Sequence, residues 1–272
     1  MRPKLATLAP TGNGEDMTRH EFQHDGLTFS YLDSGGDERV LVALHAHWME
    51  GLTFAPLAAA LAPEWRVVAL DQRGHGHSDH APTSTRDDYV GDIAALFEHL
   101  GLKDAVVLGN SLGGVNGYTF AARQAARVSA LIIEDIGAEE SADTDFSFVL
   151  AWQGTFATRQ ELDERVGPRY LPYFQDSFRQ TPGGWKLAFD PQEMVVSQRL
   201  LAGDHWADWL ASRCPALLIR GLQSRVTTPA HVEQMAARRP NTRLASLEGG
   251  HVIHFDNLAG FAAEVKAFLR KL

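Results

Sequence analysis

A single cysteine, Cys214, stands in 272 residues. That excludes an internal disulfide and any scheme of thiolate metal ligation. Cys214 precedes an apolar run and reads as a core residue. No apolar run reaches the roughly 20 residues that a membrane span needs. Basic residues are also in deficit: 25 Lys and Arg stand against 34 Asp and Glu, for a net charge of -9. That balance argues against nucleic acid or an anionic membrane as the partner. Residues 1–16 hold Pro, Gly, Thr and Asn but no signal-peptide core. They read as a disordered leader, with Met17 a candidate start and the cytoplasm the expected location. No internal repeat or low-complexity tract is visible. The composition, 44% hydrophobic and 22% charged, suits one globular domain with a substantial core and room for an inserted subdomain.

Strand and helix signals alternate along the chain. Leu27–Leu32 alternates as an opening antiparallel strand, and Val40–His45 is a continuous apolar run suited to a strand buried on both faces. Helices are expected over Phe54–Leu61 and Arg86–Leu100, with strands over Arg66–Leu70, Val106–Leu108 and Ala130–Ile133. From about 138 to 209 the pattern becomes acidic, aromatic and helical with no clear buried strand. Alternation resumes with strands Ala216–Ile219 and Arg243–Leu247 and helices His231–Arg238 and Leu258–Leu269. Repeated βα units imply an α/β fold: a mostly parallel, eight-stranded sheet flanked by helices. The interruption implies an inserted helical cap over 138–209, with the core formed by 17–137 and 210–272.

The most informative stretch is Gly109-Asn110-Ser111-Leu112-Gly113-Gly114, at a strand-to-helix junction. A serine with glycines two positions away on each side is the nucleophile-elbow pattern. The turn is so sharp that a side chain at either flank would strike neighbouring backbone. The alternative is a glycine-rich turn with a capping serine. A serine nucleophile needs a base and donors for the oxyanion. The base candidate is His251, in Glu248-Gly249-Gly250-His251 after the last expected strand; His254 is its nearest competitor.

Together with these, His45-Ala46-His47-Trp48 and Asp71-Gln72-Arg73-Gly74-His75-Gly76-His77-Ser78 appear in the order of one family. From about Gly26 to Leu272 the chain resembles the α/β-hydrolase fold superfamily, in its esterase-like serine hydrolase branch. The second stretch resembles the family's D-x-R-G-x-G-x-S turn, with Arg73 and Asp71 as structural residues behind the site. His75, His77 and His80 lack an accompanying carboxylate or thiolate pattern, so no metal and no cofactor are expected. The resemblance implies an oxyanion hole from the Leu112 and His47 N–H groups. Ala46 replaces the glycine usual in the first loop; the alternative for His47 is a side chain lining the pocket.

The chain departs from the family at the triad acid. The family places it in the loop after strand 216–220, where this chain has Ser224 and Arg225. Some members take it from the preceding strand, which here ends Glu134-Asp135. Adjacent strand residues point to opposite faces, so one of the pair aims at His251. Asp135 aligns with the family's acid and Glu134 is the alternative. The alternative without either is a weaker orienter such as Ser224 acting through water.

Cap aromatics imply an apolar pocket, for which Trp48, Trp152, Phe156, Trp206 and Val252 are candidate lining residues. Of the cap arginines Arg159, Arg165, Arg169, Arg179 and Arg199, one is a candidate for a substrate carboxylate and most are expected at the surface. The expected partner is a small molecule with an apolar group, and the expected state a monomer or homodimer. The first functional expectation is hydrolysis of carboxylic esters, lactones or thioesters through Ser111. The second is carbon–carbon bond hydrolysis of vinylogous diketones, because the elbow with Asn110 resembles the meta-cleavage-product hydrolases. A non-catalytic ligand-binding protein on the same scaffold is the third.

Overall fold

The computed structural model describes residues 17–36 and 39–272; the leader expected over 1–16 lies outside the described residues. The chain opens with β1 (Thr18–His24), β2 (Leu27–Asp33) and β3 (Arg39–Leu44), then α1 (Ala55–Leu61) and β4 (Trp65–Leu70). Helix α2 (Arg86–His99), β5 (Ala105–Asn110), α3 (Leu112–Arg123) and β6 (Val128–Glu134) follow. Strand β1 is an addition to the expected set. Only Phe22 in it is buried, so this edge strand carries no apolar alternation to read.

After β6 the chain makes an excursion. It contains β7 (Glu139–Glu140), α4 (Arg159–Val166), α5 (Leu171–Phe174), β8 (Phe178–Thr181), β9 (Gly184–Leu187), α6 (Pro191–Leu201) and β10 (Gly203–Asp204). Strands β8 and β9 form a hairpin, and β7 pairs with β10 to close the neck of the excursion. The segment was expected to be helical. Its strands have four residues or two each, too short to carry a period-2 signal. Helix α7 (Trp206–Ala211) packs on α3, with the Trp209 and Tyr118 ring centroids 5.9 Å apart. The core therefore resumes at Trp206 rather than after 209. Strand β11 (Ala216–Gly221), α8 (Pro229–Arg238), β12 (Thr242–Leu247), α9 (Ile253–Asp256) and α10 (Leu258–Leu269) complete the chain.

The sheet order is β1-β2-β4-β3-β5-β6-β11-β12, with β2 antiparallel to both β1 and β4 and the other neighbours parallel. Both faces are covered. Val42, Leu44, Val107, Leu131 and Ile133 meet residues of α2, α3 and α7. Leu41, Ala43, Val106, Leu108 and Ile132 meet α1 and α10. That alternation explains the unbroken apolar runs of the central strands. From β3 the chain crosses to β4 on one side, then to β5 on the other. Such a switch point opens a crevice at the carboxyl ends of the strands, where ligands bind in this type of sheet. Ser111 follows β5 at that point.

Candidate active site

Ser111 sits in the left-handed region with φ +53°, a strained position for a residue with a side chain. The flanking glycines make it possible. A Cβ on Gly109 would lie 2.2 Å from the Gly113 carbonyl oxygen, and one on Gly113 would lie 2.1 Å from that of Leu44. Leu112 begins α3, so its N–H has no intrahelical acceptor. Gly114 and Val115 N–H instead donate back to the Ser111 carbonyl at 2.8 and 3.1 Å.

His251 shares a cavity of about 610 Å³ with Ser111. Its Nδ1 donates to Asp135 Oδ2 at 2.7 Å, which leaves Nε2 for the cavity. Asp135 follows β6 with φ +48° and its carboxylate is buried. The Thr227 hydroxyl donates to Oδ1 at 3.0 Å and the Gly221 N–H at 3.3 Å. Ser224, at the position where the family carries its acid, donates its hydroxyl to Asp135 Oδ2. The two loops are thus complementary: one supplies the carboxylate and the other supplies donors that hold it. Asn110 donates to the His251 carbonyl at 3.0 Å and to that of Glu134 at 3.2 Å. It ties the elbow to the histidine loop.

Glu134 takes a different partner. It accepts from His254 N–H at 2.8 Å and from His254 Nδ1 at 2.7 Å. The His254 ring stacks on Phe54 with centroids 4.6 Å apart, and its Nε2 hydrogen-bonds Thr53 Oγ1 at 2.8 Å. This second pair lies in the layer under the sheet.

His47 is buried at the cavity, and burial foremost pushes its imidazole down to about 3. The ring is therefore neutral. Its Nε2 hydrogen-bonds Ser197 Oγ of α6 at 2.9 Å, and Ser197 in turn meets the Tyr89 hydroxyl at 3.0 Å. This chain fastens the His47 loop to the excursion and to α2, a link that no sequence signal announced. The next residue, Trp48, has φ +71°.

Arg73 forms a two-point pair with Asp92, at 2.7 and 2.8 Å. Asp71 accepts from Gly51 N–H at 2.8 Å and from His77 N–H at 3.0 Å. Both brace the loops behind the site. Among the described residues no group of three or more His, Cys, Asp or Glu is gathered for a metal; His80 pairs with Glu193 at 2.7 Å.

Of the expected pocket residues, Trp48 and Val252 line the cavity. The other three do not. Trp152 lies behind Trp48, edge-on with centroids 5.7 Å apart. Phe156 bridges to Trp185 at the hairpin and lines a separate depression with Glu161, Glu164 and Arg165. Trp206 belongs to α7, where its Nε1 donates to Glu139 and its ring lies under Arg238. Aromatic identity signalled burial but not which layer each ring would fill. Phe146, Tyr170 and Phe174 supply the aromatic lining instead.

Glu140 lines the cavity as well. Burial foremost, against a hydrogen bond from the Gly137 backbone, raises its carboxyl to about 7. Its partial burial left no mark in the sequence.

Comparison with known proteins agrees with this architecture. A family model described as "Alpha/beta hydrolase family" matches residues 41–264. The 2-(acetamidomethylene)succinate hydrolase of Mesorhizobium japonicum is 26% identical over 226 residues, covering 79% of this chain and 81% of that protein. The 3-oxoadipate enol-lactonase 2 of Acinetobacter baylyi is 27% identical over 225 residues, covering 75% of this chain and 79% of that protein. A solved E-2-(acetamidomethylene)succinate hydrolase superposes with a TM-score of 0.86 at 22% identity, covering 94% of this chain and 100% of the other. At that identity the structural likeness speaks for the fold. Taken with the sheet order and the elbow, the match over residues 41–264 means that the chain belongs to the alpha/beta hydrolase family and is a hydrolase.

Proposed function

We propose that the protein is a serine hydrolase that cleaves carboxylic esters, lactones or thioesters through an acyl-enzyme on Ser111. The observation that carries the reading is the 2.7 Å bond from His251 Nδ1 to buried Asp135, made in the cavity that Ser111 lines from a strained elbow. His251 Nε2 takes the Ser111 proton as Oγ attacks the acyl carbon. The Leu112 and His47 N–H groups take the oxyanion. Asp135 fixes the tautomer and offsets the imidazolium charge. The proton then passes to the leaving oxygen or sulfur. Water, deprotonated by the same nitrogen, releases the acid and frees Ser111. The reaction asks for no metal or cofactor.

The enol-lactonase relative supports including lactones. Carbon–carbon hydrolysis is the second reading; the Asn110 amide nitrogen it draws on donates to the His251 and Glu134 carbonyls, a structural duty, while its buried Oδ1 has no partner among the described residues. The experiment is fluorophosphonate labelling together with aryl-ester turnover. Wild type labels and turns over, and Ser111→Ala does neither. Labelling that survives Ser111→Ala would overturn the reading, and absence of labelling would favour a binding protein. Cleavage of ring-fission dienoates but of no ester would favour the carbon–carbon reading.

A further inference from the structure

Two exposed arginines stand at the rim of the cavity. Arg169, just before α5, and Arg225, in the loop after β11, both line it. One comes from the excursion and the other from the core. Arg169 meets the ring of Tyr170, with its guanidinium carbon 5.2 Å from the centroid. Among the described residues neither arginine has a carboxylate within ion-pair distance, as is true also of Arg165, Arg199 and Arg238.

The two glutamates of the cavity have other hydrogen-bond partners. Glu139 accepts from Trp206 Nε1. Glu140 accepts from the Gly137 backbone, and burial keeps its carboxyl protonated up to about 7. Trp48 lines the cavity, and its buried indole N–H has no acceptor among the described residues. A buried donor without a partner is rare in native proteins. Apolar walls from Phe146, Phe174 and Val252 complete the lining.

We propose that the substrate is an acyl compound bearing a free carboxylate, which Arg169 and Arg225 bind while its apolar carbons lie against Trp48 and Phe174. The inference rests on the Ser111 reading. Guanidinium groups match carboxylates in charge and shape, and two of them discriminate an anion from its neutral isostere by roughly 10- to 100-fold. A uniformly apolar acyl chain would give neither arginine a counter-charge.

The test measures the rate of Ser111 labelling by a neutral fluorophosphonate in the presence of C4 to C6 dicarboxylates or of the matching diamides. Wild type, Arg169→Ala/Arg225→Ala and Arg169→Lys/Arg225→Lys are compared, each against its own unprotected rate. The dicarboxylates should protect wild type about tenfold better than the diamides. The alanine pair should lose that difference and the lysine pair should keep part of it. Equal protection by diamides and dicarboxylates, or a preference that survives the alanine pair, would overturn the inference while leaving the serine reading intact. Failure of unprotected wild type to label would remove the serine reading and the inference with it.

Discussion

Glu134 and Asp135 are neighbours in sequence, and each holds a histidine by a 2.7 Å bond to Nδ1. His251 and His254 are three residues apart in one loop and the helix that follows it. The two pairs nevertheless face different environments. The His254 side chain is 1% exposed, sandwiched under the sheet with Phe54 and Phe261, while that of His251 is 30% exposed at the cavity with Ser111. Glu134 ends β6 in strand geometry; Asp135 turns into the left-handed region at φ +48°. One residue of backbone turn sends two carboxylates to opposite sides of the sheet. A His–carboxylate pair is therefore not a catalytic signature in itself. Access to the cavity of Ser111 separates the pair proposed as catalytic from the buried one.

The comparison breaks most visibly at Asp135. Asp135→Asn should lower aryl-ester kcat by about 10⁴-fold, since the amide favours the wrong imidazole tautomer. Adding Ser224→Asp, which restores a carboxylate beside the same histidine, should recover part of that loss; steady-state kinetics on both variants checks this. Glu134→Gln should act on the fold instead. It breaks a buried charged pair and should cost about 2 to 3 kcal/mol in urea unfolding, with kcat on the folded enzyme nearly unchanged.

Ser197→Ala tests whether the excursion positions the oxyanion loop through His47. A drop in kcat of roughly tenfold with KM unchanged is expected, and Ser197→Thr should restore the rate. A parallel change in KM would mark a merely structural contact. The smallest effect concerns pH. Glu140 is neutral below about 7 and anionic above it. It is faced by His251 and Asp135, by Tyr118 of α3, and by Arg169, Arg225 and Glu139 across the cavity. Dicarboxylate protection should therefore weaken about threefold as pH rises through that value, through like-charge repulsion. Glu140→Gln should flatten this dependence.

Much of this was legible in the sequence because it rests on local constraints. Glycines at 109 and 113 mark where backbone meets backbone. The apolar runs mark doubly buried strands, and an acidic pair at the end of β6 marks a carboxylate on each side of the sheet. What stayed hidden depends on contacts between distant segments. Ser197 reaches His47 across 150 residues. Ser224 donates to Asp135 across 89 residues. The excursion gave the least reliable reading. Trp152, Phe156 and Trp206 are core or hairpin residues because aromatic side chains satisfy burial equally well in any layer. Edge strand β1 was invisible for the converse reason, having almost nothing buried.

The most direct test of the division between the two pairs is the rate at which a fluorophosphonate labels Ser111 in Asp135→Asn and in Glu134→Gln, measured side by side on folded protein. The expected result is a fall of at least about 10³-fold in Asp135→Asn and a rate close to wild type in Glu134→Gln. Near-normal labelling of Asp135→Asn, or a collapse in Glu134→Gln instead, would contradict the assignment of Asp135 as the partner of His251.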